Sequence, residues 1–344
     1  MNQGEEPNYL RVSGTPYQAG LAHGRAKRQI ILDTWREHCE PLSAKWDQAA
    51  LAGRMEFLSA ETRQRFPEEI EEVRGIADGA EVEFNRVFTI YRHLGRALLC
   101  SAAAVTHSDH GPVAGGNLDD PCVYFLLDRS IPGEYRHIVT AWPGTLGGGN
   151  GMNEHGLVLV GSSAQPRYTP FAPEPAYRTD DFGIVARVLR RCRTVDEAVR
   201  FISRADIGAL GNHVLLDAAG NAACVEKRGV TLLAVRKPDA AGFIFSLNYF
   251  ASEYHSPERM AELPPKNLDR LDAMQRHRAR LNEHNGLEVV TGIMHDTVAG
   301  PRSENWSVSS PKTALGMLCF PRERKMLATF GPPHLCRQHT YTLA

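Results

Sequence analysis

The chain has 344 residues, 42 % hydrophobic and 23 % charged, enough for one large domain or two medium ones with a core of ordinary size. Its 39 Lys and Arg against 40 Asp and Glu leave a formal charge of −1, with no basic excess to suit nucleic acid and no acidic tail. The opening Met1-Asn2-Gln3-Gly4-Glu5-Glu6 shows no positive region ahead of an apolar run, and no stretch of about 18 apolar residues occurs, so neither a signal peptide nor a membrane partner is expected. Seven cysteines, at 39, 100, 122, 192, 224, 319 and 336, are odd in number and form no Cys-x-x-Cys pair. That pattern disfavours a disulfide framework or a zinc ribbon and fits a reducing cytoplasm.

The first hundred residues read as helix. Thr15-Pro16-Tyr17-Gln18 offers an N-cap, a proline at the first helical position and a Gln for a capping box, and Leu21, Ile30, Ile31 and Trp35 follow at helical spacing. A second helix is predicted from about Pro67 to Asp78 with Gly79 as a left-handed cap, and a third from near Asn85. The pattern changes at Cys100. Ala102 to Thr106 reads as a strand, Ser108-Asp109-His110-Gly111 as a turn, and Pro112 to Gly116 as the returning strand. Further strands are predicted at His137 to Ala141 and Leu157 to Gly161, with the turn Asn153-Glu154-His155-Gly156 between them. Helices follow from about Phe182 to Arg191 and from the capping box Thr194-Val195-Asp196-Glu197.

Strands return at His213 to Asp217, Ala222 to Glu226, Thr231 to Arg236 and Phe243 to Phe250. A helical stretch covers about Pro257 to Asn285, broken near Pro264-Pro265. The chain closes on strands at Leu315 to Phe320, Met326 to Phe330 and His339 to Leu343. Strands and helices come in separate runs, which disfavours a doubly wound parallel sheet and favours α+β layers of antiparallel sheet. Gly147-Gly148-Gly149 lacks the Lys-Ser/Thr of a phosphate loop and reads as a flexible loop.

Several groups could carry chemistry. His107-Ser108-Asp109-His110 has metal-ligand residue types but lies on a hairpin turn, where Ser, Asp and Gly belong for conformational reasons. Adjacent His295-Asp296 reads as a loop pair, and no Gly-x-Ser-x-Gly elbow occurs. Cys100 follows a helix and opens a strand. By pattern alone it could be a small core hydrophobe like the other cysteines. Its neighbourhood adds to that: Asp119 lies nineteen residues on, in Ala114-Gly115-Gly116-Asn117-Leu118-Asp119, and a hairpin of this length folds it back beside the start of the first strand.

At these residues the sequence resembles the autoproteolytic acyltransferase/hydrolase family of isopenicillin-N acyltransferase, related to choloylglycine hydrolases and penicillin V acylases. Val12-Ser13-Gly14-Thr15-Pro16-Tyr17-Gln18-Ala19-Gly20 with His23-Gly24 resembles the family's opening. Glu71-Glu72-Val73-Arg74-Gly75-Ile76-Ala77-Asp78-Gly79-Ala80 resembles its E-x-x-G-I-A-x-G-A helix. Cys100-Ser101 resembles its nucleophile pair and Gly116-Asn117-Leu118-Asp119 its G-x-N-x-D strand. Gly151-Met152-Asn153-Glu154-His155-Gly156-Leu157 is similar to its G-x-N-x-x-G-L turn, and Ser246-Leu247-Asn248-Tyr249-Phe250 to its T-N-H-F. Six such motifs in order cover nearly the whole chain.

The resemblance implies an α+β fold, the four-layer αββα sandwich of N-terminal-nucleophile hydrolases. It implies one compact domain of a helical segment, 1–99, and a catalytic segment, 100–344. Cleavage between Leu99 and Cys100 would free the Cys100 α-amino group as its own base, and the two chains would stay associated. The resemblance also implies Cys100 as nucleophile, Asp119 as the residue orienting it and Asn248 as a holder of the oxyanion. Asn117, Asn153, Ser162 and Ser163 are supporting candidates, with Asn153 also readable as a residue that shapes its turn. Arg302 is the nearest candidate for the family's late arginine. The substrate would be a small-molecule amide or acyl-coenzyme A, with no cofactor and no metal, and a homo-oligomer is left open.

Three departures stand out. Leu99 replaces the usual glycine before the cysteine, Gly116 stands where choloylglycine hydrolases carry arginine, and Ser162-Ser163 stands where they place asparagine. Two other readings therefore stay open. One is an uncleaved, silent member that binds a small ligand. The other is a hydrolase with a metal at His107, Asp109 and His110.

Overall fold

The computed structural model describes residues 8–45, 47–92, 99–119, 123–164, 183–205, 209–298, 300, 302 and 308–343. Cys122, Pro301 and Ser303-Glu304-Asn305-Trp306 lie outside the described residues.

A short strand, β1 (Tyr9–Ser13), leads into helix α1 (Pro16–Thr34). The Thr15 hydroxyl accepts the Gln18 N–H while the Gln18 side chain accepts the Thr15 N–H, the capping box read from sequence. A π-helical turn (Trp35–Cys39) and the short α2 (Glu40–Ser43) follow, then α3 (Gln48–Arg65), α4 (Pro67–Ala80) and α5 (Phe84–Arg92). Asp47 caps α3 through the Ala50 N–H. The family-like glycines explain how α1 crosses α4. A Cβ on Gly20 would lie 2.0 Å from the Glu72 carbonyl oxygen, and one on Gly75 would lie 2.1 Å from that of Tyr17. Gly24 and Gly79 face Ile76 and Leu21 in the same way, at 2.2 and 2.3 Å. Two glycines four apart on each helix let the backbones touch. This use corrects the expectation for Gly79: it is not the cap, because it stands inside the contact. The helix runs on to Ala80, and Glu81 takes the left-handed conformation at φ 54°.

The remaining elements are β2 (Leu99–Val105), β3 (Val113–Asp119), β4 (Phe125–Ser130), β5 (His137–Ala141), β6 (Gly151–Asn153), β7 (Val158–Ser162), α6 (Gly183–Arg191), α7 (Val195–Arg204), β8 (Ala209–Leu216), β9 (Ala222–Gly229), β10 (Thr231–Arg236), β11 (Phe243–Ser246), α8 (Pro257–Ala261), α9 (Pro265–Arg278), α10 (Gly286–His295), β12 (Thr313–Phe320), β13 (Lys325–Phe330) and β14 (Gln338–Thr342). They form two sheets. One runs β1-β4-β5-β6-β7-β8-β9-β10 and the other β11-β2-β3-β12-β13-β14. Every pairing is antiparallel except β1 with β4.

Side-chain alternation sorts the core into layers. Cys100, Ala102, Ala104, Ala114 and Leu118 of one sheet pack against Leu126, Ile138, Met152, Val160 and Val214 of the other. On the outer face of the first sheet, Leu127, Val139 and Leu215 meet Ile184 and Val188 of α6 and Ala198 and Ile202 of α7. On the outer face of the second, Ala103, Val105 and Val113 meet Leu271 and Met274 of α9 and Val290 and Ile293 of α10. Helix, sheet, sheet, helix is the expected α+β sandwich. The N-terminal helices add a core of their own around Ile31, Ile70, Val73, Ile76 and Phe88. Leu146 of the β5–β6 connection belongs to it, which corrects the flexible-loop expectation for the glycine run. Gly148 and Gly149 donate to the Thr140 carbonyl, and a Cβ on Gly149 would sit 2.1 Å from Thr140 Oγ1.

Candidate active site

The β2–β3 pair sets the site. Its register places Leu99 opposite Asp119, Cys100 opposite Leu118, Ser101 opposite Asn117 and Ala102 opposite Gly116. Alternation then sends the Cys100 side chain between the sheets and the Asp119 side chain outward, toward α9.

Asn248 closes the site from the segment after β11. The Cys100 main-chain N–H donates to Asn248 Oδ1 at 3.3 Å. Arg270 of α9 donates to that same oxygen through Nη1 at 2.8 Å, and to Asp119 Oδ2 through Nη2 at 2.5 Å. Thr313 completes Asp119, donating to Oδ1 at 2.6 Å. Arg270 is fully buried, with 0 % exposure, and Cys100 is 2 % exposed. Burial pushes the Asp119 carboxyl above the usual carboxylate range, and Arg270 and Thr313 pull it back down. Asn248 Nδ2 donates to the Ser163 carbonyl at 2.8 Å, and Asn267 Nδ2 reaches the Asn248 carbonyl at 3.4 Å.

Beside it, Ser162 Oγ donates to the Leu247 carbonyl at 2.7 Å and lies 3.0 Å from Ser246 Oγ. Asn212 Nδ2 reaches Ser162 Oγ and the carbonyls of Leu247 and Tyr249. These bonded polar groups stand beside the apolar side chains packed between the sheets. The arrangement holds one nitrogen, that of Cys100, in a fixed position next to its own thiol.

Over residues 122–333 the sequence matches the family described as acyl-coenzyme A:6-aminopenicillanic acid acyl-transferase. The chain belongs to that family. Cys100 and Asp119 lie just ahead of the matched span. A search of curated proteins found no match. Among solved structures, penicillin V acylase from Agrobacterium tumefaciens is 14 % identical, covering 71 % of this chain and 86 % of that one at a TM-score of 0.47. The Caenorhabditis elegans ortholog of N-acylethanolamine-hydrolyzing acid amidase is also 14 % identical, covering 65 % and 93 % at 0.45. A mutant of conjugated bile acid hydrolase from Clostridium perfringens is 12 % identical, covering 71 % and 92 % at 0.46. Likeness of this grade adds nothing to the fold, which the four layers establish directly.

In this acyl-transferase family member the structure brings Cys100, Asp119 and Asn248 together at Arg270, with the Ser163 carbonyl on Asn248 and Ser162 on the neighbouring Leu247 carbonyl. It holds the other candidates elsewhere. Asn117 faces α10, where Nδ2 donates to the Met294 and Val308 carbonyls. Asn153 shapes its turn by accepting the His155 and Leu157 N–H groups, and it ties down the end of α6 through the Leu189 and Cys192 carbonyls. Arg302 pairs with Asp269 and Asp272 and is half-exposed. The arginine that touches both Asp119 and Asn248 is Arg270, which sequence reasoning did not single out. A signal was there: Asn267 and Arg270 share a helical face with Leu271 and Met274, so two polar residues sit on the apolar side of α9.

Among the described residues no cluster of three His, Cys, Asp or Glu could hold a metal ion. Asp109 instead accepts from His284 at 2.9 Å on the surface, and Asp296 joins α10 to α9 through His277 at 2.8 Å. No helix among the described residues is long and apolar enough to cross a membrane.

Proposed function

We propose that this chain is a cysteine N-terminal-nucleophile enzyme that cuts itself before Cys100. It then hydrolyses a linear amide of a small N-acyl compound, or transfers its acyl group, through a Cys100 thioester. The observation that carries the reading is the bond from the Cys100 nitrogen to Asn248 Oδ1, on an Asn248 and an Asp119 held by one buried arginine. In the intact chain that nitrogen is an amide with no basicity, and the thiol is 2 % exposed. Cleavage would supply both a base and an opening.

The first step is an acyl shift. Cys100 Sγ adds to the Leu99 carbonyl carbon, the C–N bond breaks, and the nitrogen takes the thiol proton. Water then hydrolyses the thioester, leaving a Leu99 carboxylate and a Cys100 amine. An α-amino group has an unperturbed pKa of about 7.7–8.0, so near neutral pH a useful fraction can accept a proton from the adjacent thiol. In turnover Sγ attacks the substrate amide, the amine leaves with a proton, and water or a second amine resolves the thioester. The family's own description names an acyl-coenzyme A donor and an amine acceptor, which supports acyl transfer as one outcome of that intermediate.

The uncleaved ligand-binding reading draws on Leu99, which lies in a regular strand pair opposite Asp119 and has no left-handed backbone. Intact mass separates the two. Scaling 38.1 kDa by residue count gives roughly 11 and 27 kDa for a cut after Leu99. Those two masses in the wild type, with Cys100→Ala remaining whole and inactive on amides, support the proposal. A whole wild-type chain, or a Cys100→Ala variant that still turns over an amide, refutes it.

A further inference from the structure

The proposed nucleophile needs a donor for the oxygen that becomes negative when Sγ adds to an acyl carbon. Asn248 is engaged, with Nδ2 on the Ser163 carbonyl and Oδ1 under Cys100 and Arg270. Ser162 and Asn212 direct their protons at the Leu247 and Tyr249 carbonyls. Asn150 differs. It immediately precedes β6 and points between the sheets, as Met152 does two residues later. It is 1 % exposed. Its main-chain N–H goes to Thr140 Oγ1, its carbonyl accepts from the Thr140 N–H, and its Oδ1 accepts the Gly161 N–H at 3.0 Å. Those bonds fix the amide, and Nδ2 is left with no partner. A buried donor without an acceptor is costly and is rare unless something arrives to meet it.

The direction of Nδ2 is set by Gly116. A Cβ on Gly116 would lie 2.6 Å from it, so the amide reaches into the space that the missing side chain leaves. Gly116 is opposite Ala102 and Cys100 is opposite Leu118, all on the inter-sheet face, so Gly116 and Cys100 are diagonal neighbours. Diagonal positions on one face of a sheet are about 7–8 Å apart. A thiol sulfur, an acyl carbon, its oxygen and one hydrogen bond fill such a gap.

We propose that Asn150 is a catalytic residue of this enzyme, its Nδ2 donating to the acyl oxygen as Cys100 attacks, and that Gly116 is glycine so that this amide can reach. The proposal rests on the reading of Cys100 as nucleophile. As the Sγ–C bond forms, the thiol proton passes to the Cys100 amine and the carbonyl π pair moves onto the oxygen facing Nδ2. The pair then returns and the leaving group departs.

The test uses p-nitrophenyl butyrate as acyl donor. Nitrophenolate release and the acyl mass on the roughly 27 kDa chain are followed, in the processed enzyme. Asn150→Asp keeps the acceptor for the Gly161 N–H and removes the donor; Gly116→Ala keeps the amide and displaces it. Both should still fold and process, with a lowered melting temperature from the buried carboxyl or the crowded methyl, while slowing acylation at saturating ester by about 100- to 1,000-fold, with little change in the half-saturating concentration. Wild-type acylation rates in either variant overturn the role of Asn150. Equal labelling of the uncut Cys100→Ala chain and of processed wild type would instead overturn the nucleophile reading, a separate result.

Discussion

The main-chain nitrogen of Cys100 donates to Oδ1 of Asn248 at 3.3 Å, across 148 residues of sequence. The same oxygen takes Arg270 Nη1, so it cannot rotate away. On the proposed mechanism Asn248 positions, through this acceptor oxygen, the nitrogen that cleavage would turn into a base. Asn248→Ala should lower kcat by about 100-fold, the cost of a small misplacement of a reacting group. Asn248→Asp keeps an oxygen in place and should retain most of that rate. Burst kinetics on the processed enzyme compare them, and an Asp variant no better than Ala would remove the positioning role.

Arg270 holds Asp119 and Asn248 at once from a fully buried position. Arg270→Met leaves the Asp119 carboxylate buried without its cation, which should cost about 3–5 kcal/mol at neutral pH. Burial already raises the Asp119 pKa, with Arg270 opposing, so removing Arg270 raises it further. A raised carboxyl loses stability as pH climbs from its usual value near 3.8 through its folded value, and the deficit of the variant should shrink on acidification. Pairing Arg270→Met with Asp119→Asn should recover much of the loss. Urea unfolding at several pH values measures both effects, and a deficit independent of pH would contradict them.

The hairpin that brings Asp119 back to Cys100 was legible because strand length and a turn signal fix such a register locally. The capping box at Thr15 was legible for the same reason; at Thr194 only half of the expected box forms, the Thr194 hydroxyl accepting the Glu197 N–H while the Glu197 carboxylate takes the Arg193 N–H instead of that of Thr194. Strand β1 was not legible: its partner is β4, more than a hundred residues away, and its five residues carry no turn of their own. Arg270 was hidden in a helix crowded with other arginines, and only its place beside Leu271 and Met274 marks it. Asn150 stayed hidden because its meaning depends on the opposite sheet. Gly116, noted as a departure, gains its sense from the amide that fills its space.

His23 joins α1 to the β5–β6 connection, its Nε2 accepting the Gly144 N–H at 3.2 Å. Burial, with Lys27 and Arg129 nearby, holds its pKa down at about 3. A histidine depressed in the folded state contributes fully above about 6.5, and its contribution falls as pH drops toward its folded value. Between pH 7 and pH 5 this one group should cost about 2 kcal/mol. His23→Gln preserves an acceptor for Gly144 and should flatten that part of the stability curve. Equal slopes for the two proteins between pH 7 and 5 would show that His23 is not the titrating group.

The α1–α4 crossing separates two kinds of glycine. Gly75→Ala places a methyl 2.1 Å from the Tyr17 carbonyl oxygen, backbone that cannot yield without parting the helices. Gly53, inside α3, has nothing within 4 Å of its Cβ position. Gly53→Ala should therefore stabilise by about 0.5–1 kcal/mol, through helix propensity alone. Gly75→Ala should lower the melting temperature by many degrees or prevent folding. Thermal melts of both decide it, and a tolerated Gly75→Ala would mean that the close crossing relaxes easily.

Buried ion pairs join the two segments on either side of Cys100. Glu69 of α4 accepts from Arg187 at 2.7 and 2.6 Å and from Arg190 at 3.4 Å, and Glu72 binds Arg129 through both of its oxygens. Burial works to raise the Glu69 carboxyl, but Arg187 and Arg190 hold it down at about 2. This carboxylate therefore contributes above its ordinary value of 4.5 and loses that contribution only as pH falls toward 2. Buried pairs are screened far less than surface ones. After cleavage the roughly 11 and 27 kDa pieces should co-elute on gel filtration at neutral pH, in about 1 M salt as in low salt, and part only in denaturant. Glu69→Gln removes the carboxylate that Arg187 and Arg190 share, Arg190 keeping Glu134, and should cost about 3–5 kcal/mol, loosening the short piece. Pieces that separate in native buffer at neutral pH would show that these pairs do not hold the segments together once the chain is cut.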